Sequence, residues 1–439
     1  MKSTPIPFEK VQEQVKLMGL SSVGKASIRE IKRLIDNIEH ATGMKYVRME
    51  MGIPGLPPTQ IGVEAEIEAL KKGVAAIYPD IDGIKPLKEE ISRFVKMFMD
   101  VEVNPRGCIP TVGSMQGSFA AFTTITRMYK ERDTILFLDP GFPVHKQQCR
   151  VQGIPFDSFD VYEYRGEKLR EKLEEKLMKG NVAGMLYSNP NNPSWICFTD
   201  TELRIIGELA NKYNVIVMED LAYFGMDFRQ DYSQPGVPPY QPSVAKFTEN
   251  YILFISSSKA FSYAGQRIGM MVVSDHLFET RADDLCRYYS SYKFGNAMIF
   301  GTVYALSSGT SHSAQYALAA ILKAANDGKF NFVEVVKDYG EKAKVMKKLF
   351  TDNGFHIVYD MDEDKPLADG FYFTIAYPGF SGADLIEKLV YYGISAISLA
   401  ITGSERLEGL RACVSLVKRE QFHDLEYRLK RFREDHPVK

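Results

Sequence analysis

Cysteine is scarce in this chain and follows no pairing pattern. There are five among 439 residues, at Cys108, Cys149, Cys197, Cys286 and Cys413, an odd number with no CxxC pair. No disulfide framework is encoded, and a reducing, cytoplasmic setting is the expectation. The seven histidines are scattered and none makes an HExxH or comparable spacing, so no metal site is expected. No apolar run approaches the roughly 20 residues that cross a bilayer. The opening Met1-Lys2-Ser3-Thr4-Pro5-Ile6-Pro7 lacks the apolar core of a signal peptide. A net charge of −2 offers no global field to nucleic acid or an anionic membrane, although it leaves room for a small anion held locally.

What is present is the composition of a soluble globular protein with a large core, 45% hydrophobic and 25% charged. The length suits a large domain with a smaller one. Through the middle, short β-rich runs at Thr134–Leu138, Ala183–Tyr187, Val215–Met218, Tyr251–Ile255 and Met270–Val273 alternate with helical patterns. Helices are expected at Met115–Tyr129 and Asp200–Tyr213, the latter opened by the capping box Thr199-Asp200-Thr201-Glu202. This alternation predicts an α/β domain whose mostly parallel sheet is flanked by helices. Toward the ends, residues 8–40 read as a helical arm and Met298–Ala325 as one helical tract. Phe332–Asp352 reads as a long basic helix, and Phe355–Tyr359, Phe371–Ala376 and Ile394–Ser398 as strands. A helix capped at Ser381 and a closing helix Arg419–Glu434 complete a smaller α+β domain. The expected division is an arm joined to the small domain over residues 1–60, the large domain over 61–325 and the C-terminal small domain over 326–439. Gln230–Pro242 is expected to be an ordered surface loop.

The most informative stretch runs Ser256-Ser257-Ser258-Lys259-Ala260-Phe261-Ser262-Tyr263-Ala264-Gly265-Gln266-Arg267-Ile268-Gly269. A lysine does covalent chemistry only when it can lose its proton, which partial burial near another cation promotes. The surrounding hydroxyls and the forked guanidinium of Arg267 suit a phosphate. Imine chemistry beside a phosphate anchor is what pyridoxal phosphate requires. Val215–Met218 leads into Glu219-Asp220-Leu221-Ala222-Tyr223, and a carboxylate at the carboxyl end of a parallel strand points into the crevice where such sheets bind ligands. Asp220 would there keep a pyridine nitrogen protonated, although from these residues alone a helix N-cap followed by a core tyrosine is the commoner reading. Thr111-Val112-Gly113-Ser114-Met115-Gln116-Gly117 opens a helix whose free N–H groups attract phosphate, without the GxxxxGK[ST] pattern of a nucleotide loop. Asn189-Pro190-Asn191-Asn192-Pro193 is a rigid turn. Arg411, inside the apolar run Leu410-Arg411-Ala412-Cys413-Val414, is costly unless paired.

Taken in order from Gly52 to Arg411, these segments resemble the class I/II aminotransferases, fold-type I pyridoxal phosphate enzymes similar to aspartate aminotransferase. The lysine segment departs from the family only at Tyr263, where a smaller residue is commoner. The Asn-Pro motif departs at Ser194-Trp195, where the family usually has Thr-Gly. The resemblance implies a Schiff base at Lys259, Asp220 against the ring nitrogen, and Tyr223 and Asn192 at the phenolic oxygen. It places Phe142, from Leu138-Asp139-Pro140-Gly141-Phe142-Pro143, against the ring face. It assigns the phosphate to Gly113, Ser114, Met115, Ser256 and Arg267, with Tyr78 reaching it from a neighbouring subunit of a homodimer. The substrate carboxylate falls to Arg411, with Gly52 and Asn192 beside it. The implied activity is ping-pong transfer of an amino group from an L-amino acid to a 2-oxo acid, with Lys259 shuttling the proton. The same parts would support a C–S β-lyase or an amino-acid decarboxylase, and a binding protein that keeps the fold without turnover is a third reading. Arg287 and Lys293 are the cations nearest in sequence for a distal carboxylate, while Tyr288, Tyr289 and Tyr292 equally suit an aromatic or bulky side chain.

Overall fold

The runs TILFLD, VAGMLYS, IVMEDL, YILFIS and GMMVV are buried at every residue. That is the signature of strands covered on both faces. In the computed structural model, which describes residues 4–438, they belong to a seven-stranded sheet. Its strands are β1 (Cys108–Thr111), β2 (Thr134–Asp139), β3 (Phe156–Asp160), β4 (Val182–Ser188), β5 (Ile216–Leu221), β6 (Tyr251–Ser256) and β7 (Gly269–Val273). The spatial order is β1-β7-β6-β5-β4-β2-β3. The pairs β2–β3, β2–β4, β4–β5 and β5–β6 are parallel, and β7 alone runs against its neighbours β6 and β1. The α/β architecture with a mostly parallel sheet is therefore present.

This sheet belongs to the larger of two compact units, Leu56–Asn191 with Cys197–Val336; the smaller comprises Met1–Gly55, Asn192–Ile196 and Lys337–Lys439. In the larger unit, parallel strands bring Asp139, Ser188, Asp220 and Ser256 to one edge of the sheet. Asp220 is in register with Ser188 and Phe254, and Ser256 with Gly269, which also pairs with Thr111. The helix Asp200–Tyr213 has the expected capping box of Thr199 and Glu202. Beneath the lysine segment lies an aromatic cluster in which the buried Phe94 ring stands 4.7, 5.0, 5.8 and 6.1 Å from Phe98, Phe224, Phe332 and Phe261.

Three sequence expectations are corrected. The helix expected to reach Tyr129 spans Gly113–Ile125. Thr123, Thr124 and Thr126 turn their hydroxyls back onto the carbonyls four residues earlier, which loosens a helix end. The tract Met298–Ala325 is a π-helix Ala297–Val303, a turn Tyr304–Ser307 and a separate helix His312–Asn326, interrupted at Ser308 and Gly309, both at positive φ. Strands β1 and β3 were not expected, because β1 contains Pro110 and β3 alternates with aspartates. Proline is tolerated in β1 because that strand lies at the sheet edge.

The smaller unit holds an antiparallel sheet of β8 (His356–Ile357), β9 (Tyr372–Ala376), β10 (Ile397–Ser398) and β11 (Leu410–Cys413), ordered β10-β11-β9-β8. The expected strand Ile394–Ser398 is divided at Ala396. Its first part, Ile394–Ser395, pairs in parallel with Val47–Arg48, and its second is β10. Helix Ile28–Thr42, opened by a Ser27/Glu30 capping box, buries Ile31, Leu34, Ile35 and Ile38 in a cluster with Val11, Val23 and Val390. Among the described residues no helix is long and apolar enough to cross a membrane.

Removing the Phe94 ring should leave a cavity under the lysine segment. Phe94→Ala is expected to cost about 3–5 kcal/mol and to lower the melting temperature by more than about 5 °C, measured by scanning calorimetry.

Candidate active site

Lys259 sits half-buried in the single helical turn Ser257–Ala260 that follows β6. Several bonds hold this turn from outside. Ser257 Oγ donates to the Ile268 carbonyl at 2.5 Å, the Tyr263 amide donates to the Ser257 carbonyl at 3.1 Å, and Thr59 Oγ1 donates to the Phe261 carbonyl at 2.8 Å. Tyr263, the unusual residue of the segment, is buried and donates its hydroxyl to Glu66 at 2.7 Å, while Ser313 donates to the same carboxylate at 3.0 Å.

Asp220 lies near the end of β5, and its Oδ1 accepts the Ala222 amide at 3.2 Å. Burial pushes its carboxyl up to about 7, against the pull of that amide and of the positive charge on Lys259. His145 Nε2 stands 4.0 Å from Asp220 Oδ2. Burial draws His145 down to about 4, so it faces Asp220 as a neutral ring near pH 7 rather than as an ion-pair partner. Phe142 caps the helix that carries His145, and the two rings meet edge to face at 5.5 Å. Tyr223 is buried in the turn after β5.

Beside the lysine turn is a corner built for an anion. Gly113 opens helix Gly113–Ile125 at φ +64°. A Cβ there would lie 2.6 Å from Arg267 Nη2, and one at Gly269 would lie 2.9 Å from the Ser114 amide. Guanidinium, helix start and strand thus approach as closely as bare backbone permits. Ser114 Oγ and Thr111 Oγ1 are buried without a hydrogen-bond partner, an arrangement costly in a finished interior. Ser256 Oγ accepts the Ser258 amide at 3.1 Å, which leaves its O–H to donate. Met115 follows in the first turn of the helix. A positive helix end, a guanidinium and orphaned hydroxyls fit the phosphate of pyridoxal phosphate, with an amine and a buried carboxylate in the same unit for the rest of that molecule.

In the smaller unit, Arg411 extends from β11 and is almost fully buried. Its Nη2 donates to the Glu50 carbonyl at 2.6 Å and its Nη1 to Asn192 Oδ1 at 3.3 Å, while the Tyr372 ring lies 4.5 Å beneath it. Nε is buried without a hydrogen-bond partner, and no carboxylate pairs with this cation among the described residues. A desolvated guanidinium so placed could accept a carboxylate as a bidentate partner. Gly52 is required nearby, since a Cβ there would lie 1.9 Å from the Tyr372 hydroxyl oxygen. Trp195 adopts φ +67° with its indole buried, a conformation that costs a bulky residue about 1–3 kcal/mol.

Other sequence candidates have ordinary surroundings. Arg287 pairs with Asp284 at 3.3 Å and Lys293 with Glu279 at 2.6 Å. Tyr78 is 91% exposed in a single chain. Sequence reading passed over His145, although it falls one helical turn after Phe142. It also passed over Glu219, whose carboxylate is fully buried and accepts from Tyr187 at 3.0 Å, Ser243 at 2.5 Å and the Val244 amide at 3.3 Å. Burial pushes Glu219 up to about 7 as well.

The family model described as aminotransferase class I and II matches residues 47–367. An LL-diaminopimelate aminotransferase of Natranaerobius thermophilus is 25% identical over 73% of this chain and 76% of its own. An S-alkyl-thiohydroximate lyase of Arabidopsis thaliana is 24% identical over 57% of this chain and 54% of its own. In fold, the chain is similar to an aspartate aminotransferase mutant of Thermus thermophilus, with a TM-score of 0.76, 17% identity, and coverage of 93% of this chain and 97% of that one.

Asp220 carries a pH signature of its own. In the folded chain it ionises near 7, against an ordinary value of 3.8, so the folded state holds the extra proton between about pH 4 and 7. Stability is therefore lost as pH rises through that window. Cofactor-free Asp220→Asn should melt above the wild type at pH 8, and the two should converge at pH 4, read by scanning fluorimetry.

Proposed function

Because the chain belongs to the class I and II aminotransferases, which are pyridoxal-phosphate-dependent enzymes, we propose that it moves an amino group from an L-amino acid to a 2-oxo acid by a ping-pong reaction centred on Lys259. The observation that carries this reading lies within one unit: Lys259, the buried Asp220 and the anion corner of Gly113, Ser114 and Arg267, gathered at one edge of the sheet. When bound, pyridoxal phosphate supplies an aldehyde that condenses with amines and a ring that withdraws electrons from the substrate α-carbon. Lys259 Nζ would tether the cofactor and, as a free amine, would serve as the base and acid that moves the substrate α-proton. Asp220 holds the proton of the ring nitrogen, and the positive charge gained there would favour its ionised form. Asn192 and Tyr223 donate to the phenolic oxygen, and Phe142 covers the ring. Ser114, Met115, Ser256 and Arg267 hold the phosphate with backbone and side-chain donors. Arg411, with Gly52 and Asn192, takes the substrate α-carboxylate. The exposed Tyr78 reaches the phosphate of a second copy, which makes the working form a homodimer with shared sites.

The likeness to a C–S lyase supports one second reading, β-elimination on the same parts. The two separate cleanly. Donors incubated with enzyme and 2-oxoglutarate should yield L-glutamate and the donor's 2-oxo acid, whereas pyruvate and ammonia released without acceptor would assign the lyase. Lys259→Ala is expected to abolish the visible imine absorbance and to lower turnover at least about 10³-fold. Arg411→Ala should raise KM for both donor and acceptor about 10- to 100-fold, the loss of a charge-assisted hydrogen-bonded pair, measured in steady-state assays.

A further inference from the structure

The indole of Trp195 occupies a slot that exists only because residue 370 is glycine. A Cβ at Gly370 would lie 2.0, 2.1 and 2.2 Å from indole Cε2, Cζ2 and Nε1. The ring meets Tyr372 at 6.2 Å, nearly perpendicular, and Tyr372 in turn lies 4.5 Å beneath the Arg411 guanidinium. The hydroxyl of Tyr372 fills the space over Gly52. Trp195 also ends the turn that begins at Asn192, whose Oδ1 accepts from Arg411 at 3.3 Å. Two glycines thus give clearance to two aromatic rings, and those rings support the Asn192–Arg411 pair from behind. A large residue held at φ +67° persists only where its surroundings fix it, and such outliers gather at functional sites. The strain lies here in the turn that carries Asn192.

We propose that Trp195 is a positioning residue: seated on Gly370 and braced by Tyr372, it fixes Asn192 and Arg411 in the geometry that grips the α-carboxylate of amino-acid and 2-oxo-acid substrates. The inference rests on the aminotransferase reading for its substrates and on the geometry of the smaller unit for its mechanism. A brace that acts mainly on carboxylate binding should move KM more than kcat, with kcat falling only through the second contact of Asn192 with the cofactor.

The test is a double-mutant cycle in the holoenzyme, with 2-oxoglutarate as acceptor and each variant first checked by its melting curve. Trp195→Gly should raise KM for donor and acceptor about tenfold with a clearly smaller fall in kcat. Gly370→Ala alone should do the same, because its methyl group displaces the indole. In the Trp195→Gly background the added methyl should cost nothing further. Unchanged KM values in Trp195→Gly, or an equal effect of Gly370→Ala in both backgrounds, would overturn the proposal. Should Trp195→Gly not fold, Trp195→Phe is read by the same criterion, with a smaller rise in KM expected and an unchanged KM counting against the brace.

A second readout needs no turnover. Trp195 is the only tryptophan in the chain, so emission excited at a wavelength that tyrosine does not absorb reports on this slot alone. Titrating the holoenzyme with 2-oxoglutarate should shift its emission saturably, and Arg411→Ala should lose the response; an unresponsive wild type overturns the brace. A wild type whose emission responds but which transfers no amino group would instead refute the assigned reaction and leave the brace standing.

Discussion

Desolvation of charge is the constraint on which the rest of this structure depends. Asp220 has been carried to the end of a fully buried strand, where burial lifts its carboxyl to about 7. Water cannot stabilise its ionised form, and its neighbour His145 is held neutral by the same burial. A cation brought beside Asp220 would favour the ionised carboxylate, as the Ala222 amide and the charge on Lys259 already do in part. Lys259 is in turn presented by a turn bonded through Ser257 to Ile268, just before β7, and to the helix Gln60–Lys71 through Tyr263 and Glu66. In the proposed reading, a preference for a cationic heterocycle would follow from where the chain puts one acidic side chain.

The same constraint operates with opposite sign in the smaller unit. Arg411 has lost its water and has gained a carbonyl, an amide oxygen and an aromatic face, none of them charged. An anion of matching shape would supply the charge those partners lack. The anion corner at Gly113 and Arg267 is milder, since Arg267 is exposed; there, backbone donors of a helix start and two buried hydroxyls do the selecting. A buried guanidinium and a helix start with unsatisfied hydroxyls thus favour anions by different physical means within one chain.

Much of this architecture was legible in the residues. Thr134–Leu138 and Tyr251–Ile255 read as buried strands because apolar β-formers leave no polar face, and the Thr199/Glu202 box announces the next helix at its first residue. The turn around Lys259 was visible because its hydroxyls, glycines and arginine are contiguous. What stayed hidden depends on contacts distant in sequence. His145 matters through Asp220, 75 positions away, and Glu219 through Ser243 and Tyr187. Strand β1 was obscured by a proline that only an edge position explains. Ser194-Trp195 was visible as a departure, but its counterpart Gly370 acquires meaning only once the indole lies on it.

The five residues Asn192–Ile196 belong to the smaller unit although the chain on both sides belongs to the larger. The smaller unit is therefore assembled from three separated stretches, and its order of completion on the ribosome is set. Val47–Arg48 has no partner strand until Ile394–Ser395 emerges, and the apolar stripe of helix Ile28–Thr42 waits for Val390. Leu56–Val336 can gather its sheet first, while the arm that was synthesised before it stays incomplete. Neither terminus encodes a folding unit that could be cut away or transplanted alone.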